Sequence, residues 1–120
     1  MATKLVVKVI AGADDAERVA QAFNVAATAV MSGVAVSLWL SGDATFFALP
    51  GKCEEFVLEH SAPLNQLRDV ILADGSITVC TQCAVRRGIG ELDLIPGIVI
   101  AGATSFVAEI IADNVQALVY

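Results

Sequence analysis

Apolar positions along the chain fall into two kinds of run. Short, largely β-branched blocks recur at Lys4–Ile10 (KLVVKVI), Val34–Leu40 (VAVSLWL), Ser76–Cys80 (SITVC), Gly97–Ala101 (GIVIA) and Asn114–Val119 (NVQALV). Blocks of this length that are apolar on both faces predict strands of a parallel sheet covered on both sides. Longer stretches at helical spacing lie between them. Asp14 or Asp15 is placed to cap an Ala-rich helix with Glu17 in its first turn. This helix is expected to reach about Ser32, with Val19, Phe23, Val30 and Met31 as its bulkier core positions and Gly33 as its stop. Ser61-Ala62-Pro63 opens a second helix, with Pro63 early, where its missing N–H costs little. Leu64, Leu67, Val70, Ile71 and Leu72 carry it to Asp74-Gly75. Shorter helices are predicted at Ala44–Leu49, from Cys80 to Arg87, and at Thr104–Ala112. Lys52–His60 reads as a loop or a helical turn near the sheet edge, and Gly90–Pro96 as a connection anchored by Leu92 and Leu94. The order βαβ(α)αβαβαβ predicts an α/β fold with a parallel sheet and right-handed crossovers, in a single domain over residues 1–120.

Composition sharpens this picture. The chain is 57 % apolar and 17 % charged, against averages of about 45–50 % and about 25 %. So much apolar surface in 120 residues calls for a sheet covered on both faces and for further burial by self-association. A net charge of −6 makes nucleic acid an unsuitable partner. The charge-free run Val19–Gly42 has the length of a membrane span. Gln21, Asn24, Thr28, Ser32, Ser37 and Ser41 interrupt it, however, and Gly33 divides it into halves of different periodicity. A buried helix followed by a buried strand is the expectation, with no membrane association. Lys4 and Lys8 sit inside the first apolar run rather than ahead of it, so the start lacks a signal-peptide pattern. A cytoplasmic location follows, with the three cysteines as reduced thiols.

The chemistry concentrates where the third strand ends. Cys80 falls at the junction of strand and helix, on the carboxyl edge where α/β sheets gather ligands and reacting groups. A thiol there meets unpaired backbone N–H groups and the positive end of a helix dipole, which favour thiolate. Arg86 and Arg87, one to two turns on, can add positive charge. Cys80-Thr81-Gln82-Cys83 is a C-x-x-C with three open readings. It can be two small buried apolar residues. It can be a redox dithiol, since i and i+3 share a helix face, although the aromatic and proline neighbours of a thioredoxin motif are missing. It can contribute to a zinc site with Cys53 and His60, although those two lack a tight ligand spacing. His60 is the sole histidine, the side-chain type suited to proton transfer near neutral pH; its alternative is a solvated loop residue beside Glu59. Asp43, after Gly42, either lines the site or serves ordinary turn chemistry. Cys53, after Pro50-Gly51-Lys52, is expected to be exposed, as an accessory thiol or an inert one. Glu54, Glu55 and Glu59 read as a solvated face, and Trp39 as core. Gly88 and Gly90 do not follow a strand, so no dinucleotide fingerprint is present.

The run Cys80-Thr81-Gln82-Cys83-Ala84-Val85-Arg86-Arg87-Gly88-Ile89 resembles the DsrE/DsrF-like family of small sulfur-trafficking proteins. The likeness extends to the strand, Ala-Gly turn and helix over Ile98–Ile111, to Ala112-Asp113-Asn114-Val115, and to the early βαβ of Lys4–Gly42 with its Gly42-Asp43-Ala44 turn. It implies a three-layer α/β/α sandwich with a five-stranded, mainly parallel sheet, assembled as a homotrimer or homohexamer. It also implies that Cys80 accepts sulfane sulfur as a persulfide and passes it on between donor and acceptor proteins, as a carrier rather than a conventional enzyme. Cys83 matches a second cysteine found in only some members. The expected site is then Cys80 as nucleophile, with Cys83 as a resolving thiol in a dithiol variant. Thr81, Arg86, Arg87, Gly42 and Asp43 would line the pocket, Cys53 and His60 would be accessory, and no metal or cofactor is called for. The alternative class is a non-catalytic oligomeric module that binds a small ligand.

Overall fold

The computed structural model describes residues 2–120. Five strands, β1 (Lys4–Val9), β2 (Ala35–Leu40), β3 (Ser76–Cys80), β4 (Val99–Ala101) and β5 (Val115–Val119), form one sheet in the order β4-β3-β2-β1-β5. Every neighbouring pair is parallel, so the sheet is wholly rather than mainly parallel. The helices are α1 (Ala16–Met31), α2 (Lys52–Glu55), α3 (Leu64–Asp74), α4 (Thr81–Arg86) and α5 (Ala103–Ile110). Short 3₁₀ turns cover Ala13–Asp15, Gly42–Ala48 and Glu91–Asp93. The architecture is the expected α/β sandwich. The charge-free run 19–42 resolves into most of α1 followed by β2, and no helix among the described residues is long and apolar enough to cross a membrane.

β2 is the central strand, and Val36 through Leu40 are all buried. One face of the sheet, carrying Val7, Val9, Leu38, Leu40, Ile77 and Val79, meets Phe23, Ala26 and Ala27 of α1 and Leu64, Leu67 and Ile71 of α3. Phe23 meets Phe47 edge-on at 6.0 Å between ring centroids, and Phe47 meets Phe56 at 5.8 Å. This chain of rings ties the turn after β2 and the segment after α2 to the main core. The opposite face is covered mainly by α5, through Phe106 against Trp39 (5.2 Å, edge-on) and Glu109, whose Oε1 accepts from Trp39 Nε1 at 3.3 Å. That cover is thin, for none of the residues of α5 is fully buried.

The structure corrects several local expectations. Asp15 stands at the N-cap of α1 but makes no capping hydrogen bond; its carboxylate pairs with Arg18 at 3.3 Å instead. Met31 is 67 % exposed, because the last turn of α1 has run past the amino edge of the sheet, where Ser32 through Ala35 are exposed as well. Leu94 anchors its connection, whereas Leu92, inside a 3₁₀ turn, faces solvent. β4 is shorter than predicted, pairing with β3 only from Thr78↔Val99 to Cys80↔Ala101, with Gly97 and Ile98 as lead-in.

This division of the core sets a stability test. Phe23→Ala removes a fully buried ring from the α1 layer and is expected to cost about 3–5 kcal/mol. Met31→Ala on the same helix should change stability by less than about 0.5 kcal/mol. Urea denaturation of the two variants checks the contrast; equal losses would contradict the described packing.

Candidate functional site

The carboxyl ends of β1, β2, β3 and β4 open on one edge, and the loops that leave β1 and β2 are pressed together there. Ser41 N–H donates to the Val9 carbonyl at 3.0 Å. A Cβ at Gly12 would stand 2.5 Å from Asp43 Cβ, and one at Gly42 would stand 2.7 Å from the Ile10 carbonyl oxygen. Gly42 also has φ +54°, a conformation that side chains other than glycine adopt at a cost. The two glycines therefore let the β2 turn lie flat against the β1 turn. This aims the Gly42 N–H at Cys83, whose Sγ accepts it at 3.2 Å. Cys80 is the last residue of β3 and the N-cap of α4, with extended φ −65° and ψ 128°. α4 ends at Arg86, where Ile89 N–H returns to the Ala84 carbonyl (2.9 Å) and Gly88 N–H to the Val85 carbonyl (3.1 Å), a pattern that satisfies the helix's free carbonyls.

The charge balance at Cys80 has identifiable parts. Partial burial by itself raises the thiol's pKa. The backbone N–H and the thiol of Cys83, the backbone N–H of Gln82 and the nearby Lys8 ammonium oppose it, and together they hold the Cys80 thiol below its ordinary value. Arg87 does not supply that charge. Its Nε and Nη2 donate to Asp43 Oδ1 at 3.2 and 2.8 Å, its Nη1 donates to the Cys83 carbonyl at 3.1 Å, and its guanidinium lies 5.8 Å from the Phe46 ring centroid. Arg87 is thus a tie between α4 and the β2 turn. Arg86 is exposed in the last turn of α4. Thr81 is exposed and abuts the start of α5, since a Cβ on Gly102 would lie 3.6 Å from its Oγ1.

The sequence profile described as the DsrE/DsrF-like family matches residues 3–117. The chain belongs to the DsrE/DsrF-like family. It is 31 % identical over 106 residues to the uncharacterized protein MJ0760 of Methanocaldococcus jannaschii, a match covering 88 % of this chain and 38 % of the relative. The chain thus spans well under half the length of that relative. Its fold resembles that of the ychN protein from E. coli (TM-score 0.78, 21 % identity, all of both chains). It also resembles MTH1491 from Methanobacterium thermoautotrophicum, a protein of unknown function (TM-score 0.68, 11 % identity, 98 % of each chain). At these identities the solved structures speak to fold alone.

Two of the expected accessory residues stand apart from the cysteine turn of this DsrE/DsrF-like protein. Cys53 is buried rather than exposed, because α2 turns it under the Phe47 ring layer, where its Sγ donates to the Phe47 carbonyl at 3.4 Å. Burial pushes its thiol up to about 11, despite the attraction of Arg68. Arg68 is itself buried and bonds both oxygens of Glu54 (3.0 and 3.2 Å) and Asp69 (3.0 Å). Glu54 is therefore a partner of the α3 arginine and not simply part of a solvated face. His60 is exposed with φ +60° and lines a cleft of about 530 Å³ with Glu17, Gln21 and Asn24 of α1. That cleft shares no residue with the cysteine turn. The four residues of a zinc reading are not brought together, and no group of three His, Cys, Asp or Glu able to hold a metal occurs among the described residues. A second cleft, of about 550 Å³, does reach the cysteine edge: Phe46, Phe47, Phe56 and Leu49 line it beside Asp43, the partner of Arg87.

Lys8 is the member of this constellation that sequence reasoning passed over. Its signal was present: a lysine inside a strand whose flanking Val7 and Val9 are fully buried must find a reason to be there. The different surroundings of the thiols predict their order of reaction. Iodoacetamide at pH 8 should label Cys80 first in the native protein and leave Cys53 unlabelled until the chain is unfolded, as read by peptide mapping. Native labelling of Cys53 at the rate of Cys80 would contradict these environments.

Proposed function

We propose that this chain, acting as a single domain, is a persulfide carrier in which Cys80 takes up sulfane sulfur and gives it to an acceptor. The Cys80 thiolate attacks the outer sulfur of a donor persulfide R–S–SH. A new S–S bond forms at Cys80, the donor's S–S bond breaks, and R–S⁻ leaves with the electron pair. An acceptor thiolate then attacks the outer sulfur of Cys80–S–SH and restores the Cys80 thiolate. Each step moves one sulfur with no net oxidation, so no cofactor is required. The observation that carries the reading is the position of Cys80, only partly buried at the carboxyl edge of the sheet and at the N-cap of α4, where the backbone N–H groups of Gln82 and Cys83 and the Lys8 ammonium favour its anion.

A second reading has its own observation. Cys80 and Cys83 stand three residues apart at the start of α4, with the Cys83 thiol among the groups that lower the Cys80 pKa. A dithiol is therefore a chemical alternative: the Cys83 thiolate attacks the inner sulfur of Cys80–S–SH, hydrosulfide leaves, and a Cys80–Cys83 disulfide remains. A purely ligand-binding module draws on the aromatic cleft beside Asp43. Intact mass after incubation of reduced protein with a persulfide donor separates the three. A gain of about 32 Da, one sulfur atom, that is lost in Cys80→Ser and kept in Cys83→Ser is the expected result. A loss of about 2 Da that needs both cysteines favours the dithiol. No change in any variant overturns thiol chemistry and leaves the binding module.

The carrier is proposed to work in the cytoplasm as a homotrimer or homohexamer, with protein donors and acceptors. What supports self-association is the sparsely covered α5 side, where Val99, Val107, Ile111 and Val119 all remain exposed. Light scattering coupled to size exclusion should give three or six times the chain mass, and a monomer at all concentrations would sink the proposal.

A further inference from the structure

Lys8 lies on the sheet face opposite Val7 and Val9, the face that α5 covers. It is in register with Trp39 on β2, and Trp39 with Thr78 on β3. Cys80 is two residues beyond Thr78 and therefore on that same face. Two strand spacings, roughly 10 Å, separate the strands, a gap that a long lysine side chain narrows. The ammonium is held between sheet and helix, with Nζ 4.6 Å from the Phe106 ring centroid. It has no carboxylate partner within salt-bridge distance among the described residues. The acid on that side, Glu109, is engaged by Lys4 at 3.8 Å and by Trp39. The other charges around the cysteine turn are already accounted for: Arg87 is neutralised by Asp43 at 2.8 Å, Arg86 is exposed on α4, β4 brings no charged residue, and Cys83 contributes a thiol.

We propose that Lys8 is the cation of the Cys80 site, a positioning residue that keeps negative charge on the Cys80 sulfur and selects anionic sulfur compounds over neutral ones. A half-buried ammonium without a counter-ion acts at longer range than one in open water, and its attraction is felt both by the resting thiolate and by an approaching anion. In the carrier cycle it would also favour departure of the donor as R–S⁻. The proposal deepens the persulfide reading by naming the charge of the substrate, yet its test needs no sulfur transfer.

The test follows alkylation of Cys80 by iodoacetate, which is anionic, and by iodoacetamide, its neutral analogue, over a pH series with peptide mapping. Lys8→Met should slow iodoacetate about two- to fivefold at low salt, slow iodoacetamide less, and move both pH profiles upward. Lys8→Arg should restore the wild-type pattern. In the wild type, added salt should lower the ratio of iodoacetate to iodoacetamide rates, a readout that holds even if Lys8→Met does not fold. Unchanged rates in Lys8→Met, an equal loss for both reagents that Lys8→Arg does not rescue, or a wild-type ratio indifferent to salt would each overturn the proposal. Should the Lys8 pattern appear without any gain of sulfur mass, the carrier reading fails and the role of Lys8 stands.

Discussion

Burial of β2 at the centre of a wholly parallel sheet is the constraint on which the rest of this molecule depends. A strand with parallel neighbours on both sides and layers on both faces must be apolar almost throughout, and Val36–Leu40 meets that demand with one small hydroxyl, Ser37. Parallel pairing also forces the strands' carboxyl ends onto a single edge. The turn after β2 therefore meets the turn after β1 and the cysteine turn after β3 in one place. There is little room at that meeting, which is why Gly12 and Gly42 stand where any Cβ would strike a neighbour. The Gly42 N–H directed at Cys83 and the Asp43 carboxylate under Arg87 are consequences of the same convergence.

Much of this was legible in the sequence, and the division between what was and what was not has a physical basis. The strands and α3 could be read because local pattern and tertiary burial agree there: β-branched blocks for the parallel sheet, apolar residues at helical spacing for the α1/α3 layer. Cys80 could be placed because a strand-to-helix junction is a local feature. The residues that escaped depend on contacts distant in sequence. Whether Arg86 or Arg87 turns inward is decided by Asp43, over forty residues earlier. Cys53 follows a Pro-Gly break that suggests exposure, and only the packing of α2 against α3 and the Phe47 ring buries it. Arg68 carries no local signal of burial, because its partner Glu54 comes from another element. Lys8 joins the cysteine site through two strand registers that no single stretch of chain encodes.

Asymmetry between the two faces of the sheet explains why the ionisable groups gather on one side. The α1/α3 face is filled by aliphatic side chains and a chain of three phenylalanine rings, leaving no space for an unpaired charge. The α5 face, with one eight-residue helix laid over it, is less completely covered at its ends and holds the ionisable groups of the inner sheet: Lys4, Lys8 and the Cys80 thiol. Trp39 occupies the middle of that face, and its indole N–H finds Glu109, which in turn pairs with Lys4. Glu109 is thereby engaged at the far end of the face, and the ammonium of Lys8 is left without an acid.

The three cysteines show how little residue type decides by itself. Cys53 is deeply buried, and the loss of solvent around its sulfur drives its pKa up against the opposing pull of Arg68. Cys80 is also partly desolvated, but what surrounds its sulfur are donors, and donors stabilise the anion. Cys83 is held differently again, its sulfur accepting the Gly42 N–H at 3.2 Å. Burial pushes both Cys53 and Cys80 up, and Cys53, at 1 % exposure, is much the more deeply buried of the two. Depth of burial raises the one, and the donors and the Lys8 ammonium around the other outweigh its shallower burial. A search for reactive thiols in this fold should therefore weigh the depth of the sulfur together with the donors and cations that surround it.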